Sequence, residues 1–448
     1  MLMTSTVLQF FASLSLLIVL HEFGHFIAAR MFGVRVKKFY LFFDFLFPFP
    51  NLANFSLFKK KVGDTEYGIG WFPFGGYVQM AGIMDESMDE EELKQPPKPD
   101  EFRSKPAWQR LIILLGGIIV NLLLAVIIYT GLSWVYGKET LPNSALENGY
   151  IIDEYGEALG LQNGDIITKV GDKEVEDALL VPELLFGGVV DKIEVDRNGE
   201  ILVLGVEKDF YVKVFNNQDD KPFILAPTLS PMVGSLKDDG ALKKAGGQVG
   251  DKILSIDSIA VEFFHDIEGI LKFRKYQKGD TLKIRVVRNG TDTFLVKPVF
   301  DESGLLGLTA KYVHEDFSFW EALIEGPRRT WNELAGYIGQ FELIFDSEIK
   351  GYKQIGGFGT IASYYSGGFS WKAFWSKTAF ISIILAFMNL LPIPALDGGH
   401  ALFTIYEMIA RRPPPEKFLQ YAQTIGMLLL LFLMLYANGM DVIRWLFP

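Results

Sequence analysis

His21-Glu22-Phe23-Gly24-His25 sets two imidazoles and a carboxylate within one short run. On a helix of 3.6 residues per turn, positions i and i+4 lie about 40° apart in azimuth and ~6 Å apart along the axis, so both imidazoles can reach one ion. Glu22 then stands beside that ion. The H-E-x-x-H pattern suits a zinc hydrolase: two neutral imidazoles hold Zn²⁺, and the adjacent carboxylate takes a proton from the water such an ion activates. The residues before it argue against surface histidines ending an ordinary helix. Ala12 to Leu20 is apolar apart from two serines, and no charged side chain precedes His21. Ionisable groups inside a bilayer are costly and mark function.

Two histidines leave zinc short of a protein ligand. The chain has no cysteine and 5 histidines, so the third donor must be a His or a carboxylate. Asn389-Leu390-Leu391-Pro392-Ile393-Pro394-Ala395-Leu396-Asp397-Gly398-Gly399-His400 offers both, Asp397 and His400, behind an apolar stretch broken by two prolines. Either donor type is a normal zinc ligand.

The elements that must position these groups are mostly membrane spans. Val7 to Met31, Leu111 to Tyr136, Phe374 to Leu391 and Ile425 to Phe447 are apolar enough to enter a bilayer. The third is short and ends in prolines, as expected of a helix broken where it lines a cavity. The first lacks a basic leader and a small-residue cleavage site, so it reads as retained. Arg30, Arg35, Lys37 and Lys38 follow the first span; Arg103, Lys105 and Arg110 precede the second; Arg411, Arg412 and Lys417 separate the last two. Those loops are expected in the cytoplasm, with the long middle segment and both termini on the other side.

Thr65 to Met80, aromatic and glycine-rich, reads as a hairpin or β-loop whose unpaired edge could add a peptide strand, or as an interfacial aromatic loop. Met84 to Asp100 is acidic, then proline-rich, as in a solvated linker. The middle segment carries a degenerate repeat: Gly160-Leu161-Gln162-Asn163-Gly164-Asp165-Ile166-Ile167 aligns with Gly246-Gly247-Gln248-Val249-Gly250-Asp251-Lys252-Ile253, and Arg197-Asn198-Gly199 with Arg288-Asn289-Gly290. Two related mixed α/β modules follow. Phe317 to Phe345 has apolar residues at helical spacing, suiting an interfacial amphipathic helix or one packed on the second module.

Hydrophobic residues make up 49% of the 448 residues, and the mean hydropathy is +0.21, between soluble and purely membrane proteins. A net charge of −11 argues against a nucleic-acid partner, which would need clustered basic residues.

With these motifs in order, the whole chain resembles the site-2 protease family of intramembrane zinc metalloproteases, specifically the bacterial RseP-like group with tandem PDZ domains. HEFGH, the PFGGYV loop, the module pair and NLLPIPALDGGH occur in the family's order, and the last motif is the most specific. The resemblance implies a polytopic α-helical membrane protein with four transmembrane helices and a membrane-reentrant β-loop. It places two PDZ domains between the second and third helices. The layout would be a membrane part at 1–137, PDZ-like domains at 138–226 and 227–314, an amphipathic linker at 315–372, and a second membrane part at 373–448. The reentrant loop would cover about 65–82.

By resemblance, one Zn²⁺ would be bound by His21, His25 and Asp397, and Glu22 would be the general base. Asn389 would contact the substrate backbone. Gly75, Gly76, Tyr77 and Val78 would receive an unwound substrate as an added strand. Pro231, Met232, Val233 and Gly234 resemble a carboxylate-binding loop. Substrates would be single-span proteins, such as anti-sigma factors and remnant signal peptides, in a bacterial inner membrane. A PDZ scaffold with a structural metal site is the alternative; the retained Glu22 and the three-ligand set argue against it. Two departures stand out. Gly116-Gly117 and Gly356-Gly357-Phe358-Gly359 replace Gly-Pro pairs, and neither is expected to touch the metal chemistry.

Overall fold

The computed structural model describes residues 2–46, 52–73, 75–83, 96–146, 148–216, 225–274, 276–300, 306–366 and 369–446. The acidic part of the expected linker and Phe74 lie outside them. The chain divides into two units: Met1–Tyr136, Phe317–Tyr337 and Ile355–Pro448 form one, Gly137–Asp316 and Ile338–Gln354 the other.

In the first unit the helices are α1 (Leu2–Met31), α2 (Ala107–Tyr136), α3 (Phe319–Phe345, within this unit to Tyr337), α4 (Phe358–Ser363), α5 (Trp371–Leu390), α6 (Asp397–Ala410) and α7 (Glu416–Leu446). Four of them, α1, α2, α5 and α7, are long and apolar enough to cross a membrane. Local chemistry sets their ends. Ser370 Oγ accepts from the Ala373 N–H to cap α5. Pro392 and Pro394 stop it, because proline has no N–H to continue the ladder. The irregular stretch that follows includes Ala395 at φ 83, a conformation costly for a residue with a Cβ. It places Asp397 on the first residue of α6, an element absent from the sequence-based expectation.

Helices α1, α2 and α5 pack through small and hydroxylated residues, as membrane helices do when lipid is as apolar as their side chains. Gly24 meets Gly116: a Cβ on either would clash with the other's carbonyl, at 2.3 and 2.6 Å. Ser13 Oγ lies 3.0 Å from Thr378 Oγ1 and accepts from the Tyr365 hydroxyl at 2.7 Å, while Ser382 Oγ donates to the Asn121 carbonyl at 2.8 Å. Helix α7 is different. Ile425, Phe432 and Leu435 are each more than 60% exposed, an apolar surface that water would not tolerate and acyl chains would.

A four-stranded sheet follows α1, with strands β1 (Val36–Leu41), β2 (Ser56–Val62), β3 (Thr65–Gly70) and β4 (Tyr77–Met80) in the order β2-β3-β1-β4. Within Thr65 to Met80 the hairpin expectation therefore fails. Strands β3 and β4 do not pair with each other; β3 runs parallel to β1 on one side and β4 antiparallel on the other. The reason is β1, which sequence reading passed over because its lysines hide the apolar alternation. Among the described strands, β4 pairs with β1 alone.

In the second unit, two sheets share one topology. Strands Lys173–Glu174, Ile166–Val170, Lys192–Arg197 and Glu200–Gly205 neighbour one another in that order, as do Ile259–Ala260, Lys252–Ile256, Ile284–Arg288 and Asp292–Val296. Ile167, Val170, Ile193 and Val195 fill the first core; Ile253, Ile256, Ile284 and Val286 fill corresponding places in the second. The repeated Gly-Asp and Arg-Asn-Gly signals turn out to be partners. Arg197 grips Asp165 through two hydrogen bonds of 2.7 Å and donates to the Gly160 carbonyl. Arg288 grips Asp251 at 2.7 and 2.8 Å and donates to the Gly246 carbonyl.

The segment expected as one linker at 315–372 is divided between the units: 317–337 and 355–372 fall in the first, 315–316 and 338–354 in the second. Its 338–354 part packs on the first module, where Leu343 and Ile349 join the core, and not on the second. Apolar periodicity gave the helix but could not name the surface it covers.

Candidate metal centre and active site

His21 and His25 stand one turn apart on α1, their ring centroids 4.9 Å apart and their planes at 78°. Asp397, from the start of α6, closes a triangle: His21 Nε2 to Asp397 Oδ2 is 3.1 Å, His25 Nε2 to Asp397 Oδ2 3.3 Å, and the two Nε2 atoms are 3.2 Å apart. Zinc holds such donors at about 2.0–2.2 Å, so two of them in a tetrahedral shell are ~3.3 Å apart. The triangle has that size. His25 Nδ1 lies 2.8 Å from the Ile113 carbonyl, which can only accept, so the proton of the neutral ring sits on Nδ1 and Nε2 offers its lone pair. The donor set therefore fits a zinc ion. Of the two candidates for the third donor, the triangle contains Asp397; His400 lines the same cavity without joining the donor cluster.

A cavity of about 660 Å³ opens on this triangle. Glu22 lines it together with Val78 of β4. Gly75, Gly76, Tyr77 and Val78 form another side, and Asn389, at the end of α5, is also in the wall. Gly76 permits the close approach of strand and helix: a Cβ there would sit 2.7 Å from Ile18 Cγ2 and 3.5 Å from Glu22 Cγ. The residues singled out at both ends of the membrane part thus meet in one cavity.

Three contributors were not foreseen. Gly117 corrects the expectation that the Gly116-Gly117 departure spares the metal chemistry, since a Cβ there would lie 2.5 Å from His25 Nε2 and 2.7 Å from His21 Nδ1. Asn121, fully buried, places its amide 3.3 Å from His21 Nδ1. It is the single polar side chain between Leu111 and Ile128, a signal that was there to be read. Gln420, Gln423 and Thr424 of α7 add a polar stripe to the cavity wall. The other departure leaves the site alone: Phe358 and Thr360 donate their N–H groups to Asn438 Oδ1 and Asp441 Oδ2 of α7.

In the second module, Pro231 to Gly234 is largely committed within the chain. The Met232 N–H donates to the Ser230 carbonyl at 2.7 Å, the Val233 N–H to the Asp251 carbonyl at 2.9 Å, and the Val233 side chain is core. Less of the loop is open to a peptide carboxylate than the sequence suggested.

An imidazole pair and a carboxylate set for zinc, with a second carboxylate poised beside them among apolar spanning helices, define a membrane-embedded metallohydrolase. Comparison with known proteins specifies it. The chain belongs to peptidase family M50, whose model matches residues 9–433. It is similar to the regulator of sigma E protease of Haemophilus influenzae, 27% identical over 97% of this chain and 98% of that one. Its similarity to the regulator of sigma-E protease RseP of Salmonella typhimurium is 25% identity over 95% of each. A Vibrio cholerae protein named "Putative zinc metalloprotease" is 27% identical over 98% of both chains. The protein is a metalloprotease of the site-2 type, and the size of its donor triangle fits zinc.

Proposed function

We propose that this protease hydrolyses the transmembrane segments of single-span membrane proteins, of the anti-sigma-factor or remnant-signal-peptide kind, with one zinc ion held by His21, His25 and Asp397. The observation that carries the reading is the donor triangle opening on a cavity also lined by Gly75 to Val78, where β4 pairs with β1 alone among the described strands. When bound, zinc polarises a carbonyl and brings the pKa of water near 7. Glu22 takes up that proton and returns it to the leaving amine, a transfer its position beside both histidines allows.

A membrane-spanning helix hides its carbonyls in its own hydrogen bonds, so it must unwind before it can be cut. Gly75 to Val78 receive the unwound segment as an added strand, replacing main-chain hydrogen bonds that hydrocarbon cannot supply. Asn389 steadies the backbone near the scissile bond. In this reading the basic flanks keep the reentrant sheet at the cytoplasmic face of a bacterial inner membrane, and the two modules and both termini lie opposite. The modules act as PDZ-like domains that screen substrates. Pro231 to Gly234 would meet a peptide carboxylate by exchanging the Met232 and Val233 N–H groups onto it.

The test is Glu22→Gln in liposomes with a membrane-embedded single-span substrate. Zinc content is expected to stay and cleavage to fall by at least about 10²-fold, the lower range for a lost general base. Undiminished turnover would remove Glu22 from its role.

A further inference from the structure

Both imidazoles of the HEFGH run are approached from behind by α2, at their Nδ1 atoms. Ile113 presents its carbonyl to His25, and two turns further along α2 Asn121 presents its side-chain amide to His21. The first contact fixes a tautomer; the second depends on which way the amide faces. With its nitrogen toward His21, Asn121 would donate to Nδ1, force the proton of the neutral ring onto Nε2, and remove the lone pair pointing at Asp397. Turning the amide by 180° changes no shape and puts Oδ1 opposite Nδ1, where it accepts the ring proton and leaves Nε2 bare.

We propose that Asn121 is a positioning residue for zinc: its side-chain carbonyl accepts from His21 Nδ1–H and thereby holds the ring in the tautomer and orientation that ligate through Nε2. This rests on the zinc reading of His21, His25 and Asp397. It gives Asn121 the role for His21 that the Ile113 carbonyl plays for His25. The Asn121 backbone is itself held, since its carbonyl accepts from Ser382 Oγ of α5 at 2.8 Å. One residue thus links three helices to the imidazole.

The test measures zinc affinity, by chelator competition, in the full-length chain carrying Glu22→Gln, so that turnover plays no part. Asn121→Leu keeps the shape and removes the acceptor; Asn121→Asp keeps an acceptor. Leu is expected to weaken zinc binding by about 10–100-fold, the usual cost of losing such a partner, and Asp to stay within about threefold of the parent. A packing role predicts the reverse order, because a buried carboxylate disturbs a helix interface more than leucine does. Affinity unchanged by Leu, or equally lost with Leu and Asp, overturns the proposal. A Glu22→Gln parent that binds no zinc overturns the metal assignment itself, a distinct result. If Asn121→Leu does not fold, spectra of the zinc-loaded, ¹⁵N-histidine-labelled parent decide: a hydrogen-bonded, slowly exchanging His21 Nδ1 proton supports the assignment, and one that exchanges as a free imidazole proton does refutes it.

Discussion

A single buried charge shows how this chain handles ionisable groups. Burial pushes the Asp251 carboxyl up, yet the paired hydrogen bonds from Arg288 and the Gln248 N–H hold it below the usual carboxylate range. A depressed folded-state pKa means the pair adds stability above the unfolded value, near 3.9 for Asp, and loses it as pH falls through the lower folded value. Protection of Ile253 to Ile256 against hydrogen exchange should therefore be flat from neutral pH down to about 3.9 and decline below it. Asp251→Asn should lower that protection at neutral pH, because the carboxylate that accepts from Arg288 and from the Gln248 N–H is lost. Equal protection in the variant would show the pair to be dispensable. The same logic, in hydrocarbon, made the catalytic run legible: His21, Glu22 and His25 stand out because nothing charged precedes them.

Among the elements, β4 carries the functional argument. Val78, opposite Phe39 of β1, lines the cavity with Glu22, and its N–H is a main-chain donor of this strand. Val78→Pro removes that donor and leaves the three zinc ligands untouched. Cleavage of a single-span substrate should fall by about tenfold or more while bound zinc stays constant, because one main-chain hydrogen bond to a buried partner is worth ~1–2 kcal/mol. Wild-type turnover in this variant would exclude strand addition at β4. Elements were legible in proportion to how plainly their residues repeat. The spans α1, α2, α5 and α7 declared themselves by length, and the repeated Gly-Asp and Arg-Asn-Gly signals marked the modules. Strand β1 did not, since Lys37 and Lys38 interrupt it, and β3 and β4 were then paired wrongly. Helix α6 opens with Asp-Gly-Gly, poor helix formers, and forms because the prolines before it end α5 and let the chain restart at Asp397.

For the whole molecule, what matters is where the proposed zinc ligands sit along the chain. His21 and His25 precede the stretch Gly137–Asp316 and Asp397 follows it, yet their donor atoms are within 4.8 Å. Closing so long a loop costs only slightly more than closing a shorter one, since the penalty grows with the logarithm of length. Helices α1, α2 and α5 already hold the two ends by packing that needs no covalent continuity through the intervening segment. A backbone scission within Gly137–Asp316 should thus leave two pieces that remain associated and share one ion, though neither can ligate it alone. Co-expressed halves should copurify with zinc while each half by itself carries none, and separate halves that fail to reassemble would contradict this. A protease built in this way could be nicked in its middle by another protease and keep working.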